Sequence, residues 1–344
     1  MPEETVSCSY GLEFKSFRDW NGDRPSQTLV FHNDGSSWWI KVEIDWSLPE
    51  SIVKLGYLKR RPLFQESVRA IDFSQLHLLD NTTRENPFLS TANRVSFQIA
   101  EDPRRIIYPI LDQVQDLPTF EASHLEDAKV IAPTIDTVLF KQERFAYKKL
   151  ERLIYEPGDT EHILNEIKAL AQFRGQPYIA QLIGLVIYGN PYKTRPSTIS
   201  SPVITGFLLE YYPEGSLEQV LAENKVEDDS LLRRWALQTG RALEVLHTQQ
   251  LTHLDIKPSN IVLDANRNAI LIDISGTGGA AAPASSSFDE RVATDCWAYG
   301  RLLLTMAKKI GTTSFGKRLQ SIGADLTRTD PKARISLSDA LERI

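Results

Sequence analysis

The apolar residues of this chain change period once, and that change constrains the fold more than any other feature. From Tyr10 to about Pro118 they mostly alternate with polar residues, as in Trp39-Ile40-Lys41-Val42-Glu43-Ile44-Asp45-Trp46, where Ile40, Val42, Ile44 and Trp46 share one side. Period two marks a half-buried strand. The run Thr28-Leu29-Val30-Phe31 is joined to it by Asn33-Asp34-Gly35-Ser36, residues that accept positive φ, so a hairpin is expected. A second hairpin is expected from Val95-Ser96-Phe97-Gln98-Ile99 through Glu101-Asp102-Pro103 to Ile106-Ile107-Tyr108. Trp38, Trp39 and Trp46 are expected to pack in the sheet; a stacking platform for a ligand is the alternative.

Beyond Pro118 short strands (Thr137-Val138-Leu139-Phe140, Phe145-Ala146-Tyr147-Lys148) give way to helical spacing, as in His162 to Leu170, where Ile163, Ile167 and Leu170 recur at i, i+4 and i+7. Pro191 to Pro202, rich in Pro, Ser and Thr, reads as an exposed loop. A β-rich region over 1–118 and a second domain over 119–344 are therefore expected. The 344 residues carry 39 Lys+Arg against 45 Asp+Glu, a net charge of −6, with no basic block, which disfavours nucleic acid and anionic membrane as partners. Cys8 and Cys296 cannot build a disulfide framework or a four-ligand zinc site, and no run of about eighteen apolar residues is present to span a bilayer. With an acidic, leaderless N-terminus, the expectation is an intracellular, cytoplasmic protein without a membrane anchor.

One stretch carries chemistry: His253-Leu254-Asp255-Ile256-Lys257-Pro258-Ser259-Asn260-Ile261-Val262-Leu263, followed by Asp273 in Leu271-Ile272-Asp273-Ile274-Ser275-Gly276. It resembles the catalytic loop and metal-binding segment of protein kinases, H-R-D-x-K-x-x-N and D-F-G, at that family's spacings. Leu243-Glu244-Val245-Leu246-His247 is similar to the end of the helix before that loop, and Asp295-Cys296-Trp297-Ala298-Tyr299-Gly300 to the D-x-W-x-x-G helix start. The resemblance covers roughly Leu125 to Ile344.

It implies an α+β fold, two-lobed and protein-kinase-like, with a reduced C-terminal lobe (N-lobe about 119–210, C-lobe about 213–344) behind a β-rich N-terminal extension. The implied cofactors are ATP and Mg²⁺. Phosphoryl transfer needs charge neutralisation and in-line positioning, so hard oxygen ligands come first, and Asn260 and Asp273 supply them for the metal. Asp255 would accept or orient the proton of the attacking hydroxyl, and Lys257 would reach the γ-phosphate. Lys148, in a strand similar to V-A-I-K, would hold the α- and β-phosphates and pair with Glu166. Phe207 to Leu217 resembles the hinge between lobes, with backbone groups around Glu210 and Tyr212 binding adenine and Leu209 behind it. The implied acceptor is a Ser/Thr hydroxyl of a protein, toward which Lys257 points, or a small-molecule hydroxyl.

The chain departs from the family at four places. Between Leu125 and Leu139 there is no glycine, so Ile131-Ala132-Pro133-Thr134 occupies the turn where G-x-G-x-x-G would cover the phosphates. Leu254 replaces the catalytic-loop arginine, which removes the cation that reads a phosphorylated activation loop. Ile274 replaces the D-F-G phenylalanine and is expected to stack with Leu170 and His253. Finally, the segment from Asp273 to Asp295 has no A-P-E; Arg334 is similar to the arginine that pairs with that glutamate, and two readings stay open for it, pairing with Glu290 as a substitute or a plain surface charge. These losses leave two alternatives: a pseudokinase-type nucleotide-binding scaffold, and a small-molecule kinase or other ATP-dependent transferase, adenylyl transfer included.

Overall fold

The computed structural model describes residues 11–18, 25–33, 35–43, 57–78, 82–89, 95–101, 106–114, 116–150, 158–190, 202–223, 228–274, 286–311 and 313–344. The chain forms two compact units: Met1–Tyr108 with Glu151–Pro157 and Tyr188–Val203, and Pro109–Leu150 with Gly158–Ile187 and Ile204–Ile344.

The first unit is a five-stranded sheet in the order β1-β2-β3-β4-β5 (Gly11–Arg18, Ser26–Asn33, Ser36–Glu43, Thr82–Leu89, Val95–Glu101) with one helix, α1 (Tyr57–Arg69). The expected first hairpin is present: β2 and β3 pair antiparallel with Asn33 opposite Ser36, and Gly35 sits at φ 73° in the turn. The apolar face formed by Leu29, Phe31, Ile40 and Val42 meets Phe64 and Val68 of α1, with Phe17 and Phe73 closing the core. Trp38 stacks on Phe31 at 5.6 Å inside this core, which is the packing role expected of it. Trp46 lies outside the described residues, as does the loop at 191–201.

One expectation needs correction here. Val95–Ile99 does form a strand, but β5 pairs antiparallel with the upstream β4, Leu89 opposite Val95, and Ile106 to Tyr108 are not in a strand. Beside its strands the region carries a helix. β3 and β4 are parallel and need a crossover, and α1 lies within it. Its sequence signal is weak, because Pro62 interrupts the helix and Lys59, Arg60 and Arg61 dilute its apolar stripe.

The second unit has the two-lobed α+β arrangement. Its upper part is a six-stranded sheet, β6-β10-β11-β9-β8-β7 (Thr119–Glu121, Leu182–Tyr188, Val203–Glu210, Glu143–Lys149, Ile135–Phe140, Glu126–Ala132), with α2 (Asp159–Gln172). The three-residue β6 pairs parallel with β10 along its outer edge. The lower part contains α3 (Leu217–Ala222), α4 (Asp229–Thr248), a small hairpin β12–β13 (Ile261–Leu263, Ala269–Leu271), α5 (Phe288–Ile310), α6 (Ser314–Leu326) and α7 (Leu337–Arg343). Each of the longer lower helices starts at a side-chain cap: Asp228 accepts from Ser230 and Leu231, Ser287 forms a reciprocal box with Glu290, and Thr313 accepts from Gly316. A continuous core through Leu170, Phe207, Trp235, Leu243, Ile274 and Tyr299 supports both parts. Among the described residues no helix is long and apolar enough to cross a membrane.

Candidate active site

Lys148 stands on β9, a central strand of the six-stranded sheet, paired with Ile135 of β8 and Phe207 of β11. Strands on both sides fix its backbone, so only the side chain has freedom. That side chain is held from two directions: its ammonium donates to both Glu166 oxygens, at 2.8 and 2.7 Å, and to Asp273 Oδ1 at 2.5 Å. Glu166 reaches it because α2 turns its buried stripe (Leu164, Glu166, Ile167, Leu170) inward. Burial alone would pull the Lys148 ammonium down, but the Glu166 and Asp273 carboxylates outweigh it and the group sits above the ordinary lysine range. Burial pushes Glu166 up, against the pull of Lys148. For Asp273 burial also acts upward, yet the adjacent Lys148 prevails and holds it below the usual carboxylate range.

The segment from Thr252 to Asn260 is positioned by a residue of α5. Asp295, fully buried, accepts hydrogen bonds from the backbone N–H of His253 (2.8 Å) and Leu254 (2.7 Å) and from His247 Nε2 (3.0 Å). A carboxylate can only accept, so His247 carries its proton on Nε2. The same logic assigns His253: Nε2 donates to the Ile272 carbonyl at 2.8 Å, and Nδ1 accepts from Asp255 N–H at 3.2 Å. Because Nδ1 accepts, the imidazole is neutral, and burial holds its pKa below the ordinary histidine range. Leu254, buried where the family has arginine, adopts φ 64°, and the Asp295 contact at its own N–H holds that left-handed turn.

Downstream of this turn, Asp255, Lys257 and Asn260 converge. Lys257 donates to Asp255 Oδ2 at 2.6 Å, and Asn260 Nδ2 donates to the same oxygen at 2.8 Å and to the Asp255 carbonyl at 2.9 Å. Two consequences follow: Asp255 Oδ1 is left for another donor, and the Asn260 amide oxygen is turned away from Asp255. Asp273 is brought alongside because Ile272 N–H donates to the Asn260 carbonyl at 3.0 Å while His253 holds the Ile272 carbonyl. Asp273 itself adopts φ 68°. Ile274 is fully buried in the same core as Leu170.

Leu209 is half-buried against the main core at the end of β11, and Glu210 is exposed. Glu210 N–H donates to the Gln181 carbonyl at 3.0 Å, and the Tyr212 hydroxyl accepts from Gln181 N–H at 3.1 Å. The glycine-free turn is a tight connection at Pro133 and Thr134, with Ala132 opposite Ile135 and Thr134 at φ 64°. Val130 and Ile131 next to it are 78% and 52% exposed. Arg334 and Glu290 do not meet: Glu290 is occupied by the Ser287 cap, and Arg334 donates to the carbonyls of Arg328 and Ala293. The segment 275–285 lies outside the described residues.

The positioning roles of Asp295, His247 and Gln181 could not be read from sequence. Asp295 and His247 sit in recognisable motifs, but nothing in their spacing shows that they touch.

A family model of the protein kinase domain matches residues 137–317, just over half of the chain. The serine/threonine-protein kinase PKH2 of Saccharomyces cerevisiae is 28% identical over 159 residues, 46% of this chain and 13% of the relative. The serine/threonine-protein kinase SKS1 of the same yeast is 29% identical over 143 residues, 40% of this chain and 28% of the relative. A probable cAMP-dependent protein kinase catalytic subunit of Encephalitozoon cuniculi is 26% identical over 161 residues, 43% and 46% of the two chains. The chain thus spans less than half the length of each of these curated relatives. With Lys148, Glu166 and Asp273 joined on a two-lobed scaffold and more than half of its length matched by the domain model, the chain belongs to the protein kinase family.

Proposed function

We propose that the chain transfers the γ-phosphoryl group of ATP, with magnesium, to serine or threonine hydroxyls of a protein. The observation that carries this reading is the Lys148–Glu166–Asp273 arrangement, in which one ammonium is shared by two carboxylates on separate elements. An unpaired lysine on a strand would wave in solvent; this one is aimed, and phosphates approaching it meet a fixed positive charge.

The donor set fits a magnesium ion. Asp273 is 44% exposed at its side chain and commits only Oδ1 to Lys148, and the Asn260 amide oxygen faces away from Asp255. Among the described residues no group of three or more His, Cys, Asp or Glu could hold a metal. Two protein oxygens suit magnesium, which keeps waters and takes phosphate oxygens for the rest of its shell, and when bound it supplies neutralisation of phosphate charge. The remaining roles belong to the chain. Asp255 Oδ1 takes up a hydrogen bond from the acceptor hydroxyl and orients it; Lys257, half-exposed, offers its charge where the γ-phosphoryl group leaves. Because Glu210 N–H is engaged by Gln181, adenine would be met by the Glu210 carbonyl and Tyr212 N–H. An ATP-using setting, and Cys296 as a buried free thiol, favour an intracellular location.

One observation favours a second reading, a nucleotide-binding scaffold without turnover: the β7–β8 turn carries Pro133 and a strained Thr134 instead of glycines, so fewer backbone amides can approach a phosphate. Incubation of the purified chain with MgATP and a basic acceptor protein separates the readings. ADP with a phosphorylated acceptor or chain, lost in Asp255→Asn and Asp273→Asn, supports the kinase; AMP with pyrophosphate refutes it in favour of adenylyl transfer. Stabilisation by MgATP with no product supports the scaffold.

A further inference from the structure

Outside the Lys148–Asp273 cluster, the second unit holds a cavity of about 360 Å³ behind the end of β11, lined by Ile179, Gln181, Glu210, Tyr212, Asp264 and Ile270 together with the Gly175–Tyr178 turn and Asn268. We propose that this cavity receives an arginine side chain from a segment of a protein partner. No lining residue is basic, whereas two are carboxylates. Both lie close enough to act on the Tyr212 phenol, which burial, then Glu210 and Asp264, hold above its usual range.

The hydrogen-bonding inventory points the same way. Several donors of the cavity wall are spent: Gln181 Nε2 donates to the carbonyls of Gln176 (3.0 Å) and Ile179 (2.7 Å), Asn268 Nδ2 to Asp264 Oδ2 (2.9 Å), and Gly175 N–H to Gln181 Oε1 (2.6 Å), while Asp264 Oδ1 accepts from the N–H groups of Asn266 (2.9 Å) and Asn268 (2.7 Å). What remains is acceptor capacity on Glu210 and a further lone pair on Asp264 Oδ2, together with two carboxylate charges, so the matching ligand is rich in donors and positively charged. A metal ion is a poor match, since the site offers no group of three metal-ligating side chains. Pro177, Tyr178, Ile179 and Ile270 supply apolar and aromatic wall for an aliphatic stem and a planar head, the combination that guanidinium satisfies with five donors. The volume is at the small end of ligand pockets, roughly 300–1,000 Å³, and suits one long side chain. Gly175, Gln176 and Pro177 at the rim are exposed, so a chain lying across the surface can insert it.

The site shares only Glu210 and Tyr212 with the proposed nucleotide site, and its test needs no nucleotide. Titration of the full chain with a capped Ala-Arg-Ala peptide, followed by backbone amide shifts of Gly175, Gln181 and Asn268, should show binding at least about tenfold tighter than for the citrulline peptide, which keeps the shape and lacks the charge. Asp264→Asn and Gln176→Lys, the second bringing its own cation to the mouth, should each weaken it by a similar factor. Equal binding of arginine and citrulline peptides, no binding, or an unchanged affinity in folded Gln176→Lys would overturn the proposal. Spermidine binding as tightly as the peptide would overturn it in favour of a small-polycation site.

Discussion

Replacing Asp295 should disorder the segment that carries Asp255. The side chain is fully buried and serves two backbone donors, His253 and Leu254, besides His247. Asp295→Ala leaves both N–H groups without an acceptor in a place water does not reach. Each buried orphan donor costs about 1–3 kcal/mol, so the loss is about 2–6 kcal/mol. Asp295→Asn retains the shape but has one acceptor oxygen for two backbone donors and points an amide N–H₂ at the other, which sets its loss at about 1–3 kcal/mol. His247→Ala removes one donor and leaves the backbone bonds intact, so it should cost less than either. Urea unfolding followed by tryptophan fluorescence, with Trp235 fully buried in the same core, reads these differences. With a slope of about 3 kcal/mol per M, the alanine variant should shift the midpoint by roughly 0.7–2 M. An Asp295→Asn protein within about 0.5 kcal/mol of wild type would refute the anchoring role, since surface substitutions fall in that range.

Three further outcomes are expected. Lys148→Met strands Glu166 and Asp273 beside each other and should cost about 3–5 kcal/mol at neutral pH. Because burial already raises the pKa of Glu166, its charged form is the destabilising one, so this loss should shrink as the pH is lowered and Glu166 takes up a proton; a loss independent of pH in chemical unfolding would contradict the pairing. His253 has a folded-state pKa below its ordinary 6.5, so the unfolded chain binds the extra proton first and stability should fall as the pH drops below about 6.5. His253→Gln should flatten that part of the pH profile. Gly206→Ala would place a Cβ 2.1 Å from the Lys148 carbonyl oxygen, forcing β11 away from β9, with a cost of about 1–3 kcal/mol and weaker MgATP stabilisation in a thermal shift assay.

Much of this site was legible because short-range patterns encode it. The i, i+4, i+7 spacing of Ile163, Ile167 and Leu170 marked α2 and so placed Glu166 on its inner stripe, and the alternation through Trp39 to Val42 marked β3. What escaped was decided by distant partners. Val95–Ile99 reads as a strand, yet nothing local tells it to pair with Thr82–Leu89 instead of Ile106–Tyr108. Tyr57–Arg69 forms a helix despite Pro62 because Phe64 and Val68 find a sheet face to cover, a tertiary gain that propensity does not register. Likewise, of the two readings open for Arg334, pairing with Glu290 does not occur, because the Ser287 cap, three residues from Glu290, competes locally and wins.

The central claim, that Asp255, Lys148 and Asp273 form a working phosphoryl-transfer site, is tested most directly by following the labelled γ-phosphate of MgATP in the wild type and in Asp255→Asn. Transfer that is Mg²⁺-dependent and falls by about 10²-fold or more in the variant, with MgATP binding retained, is the predicted result. Equal transfer by the two proteins, or none by either, would contradict the account.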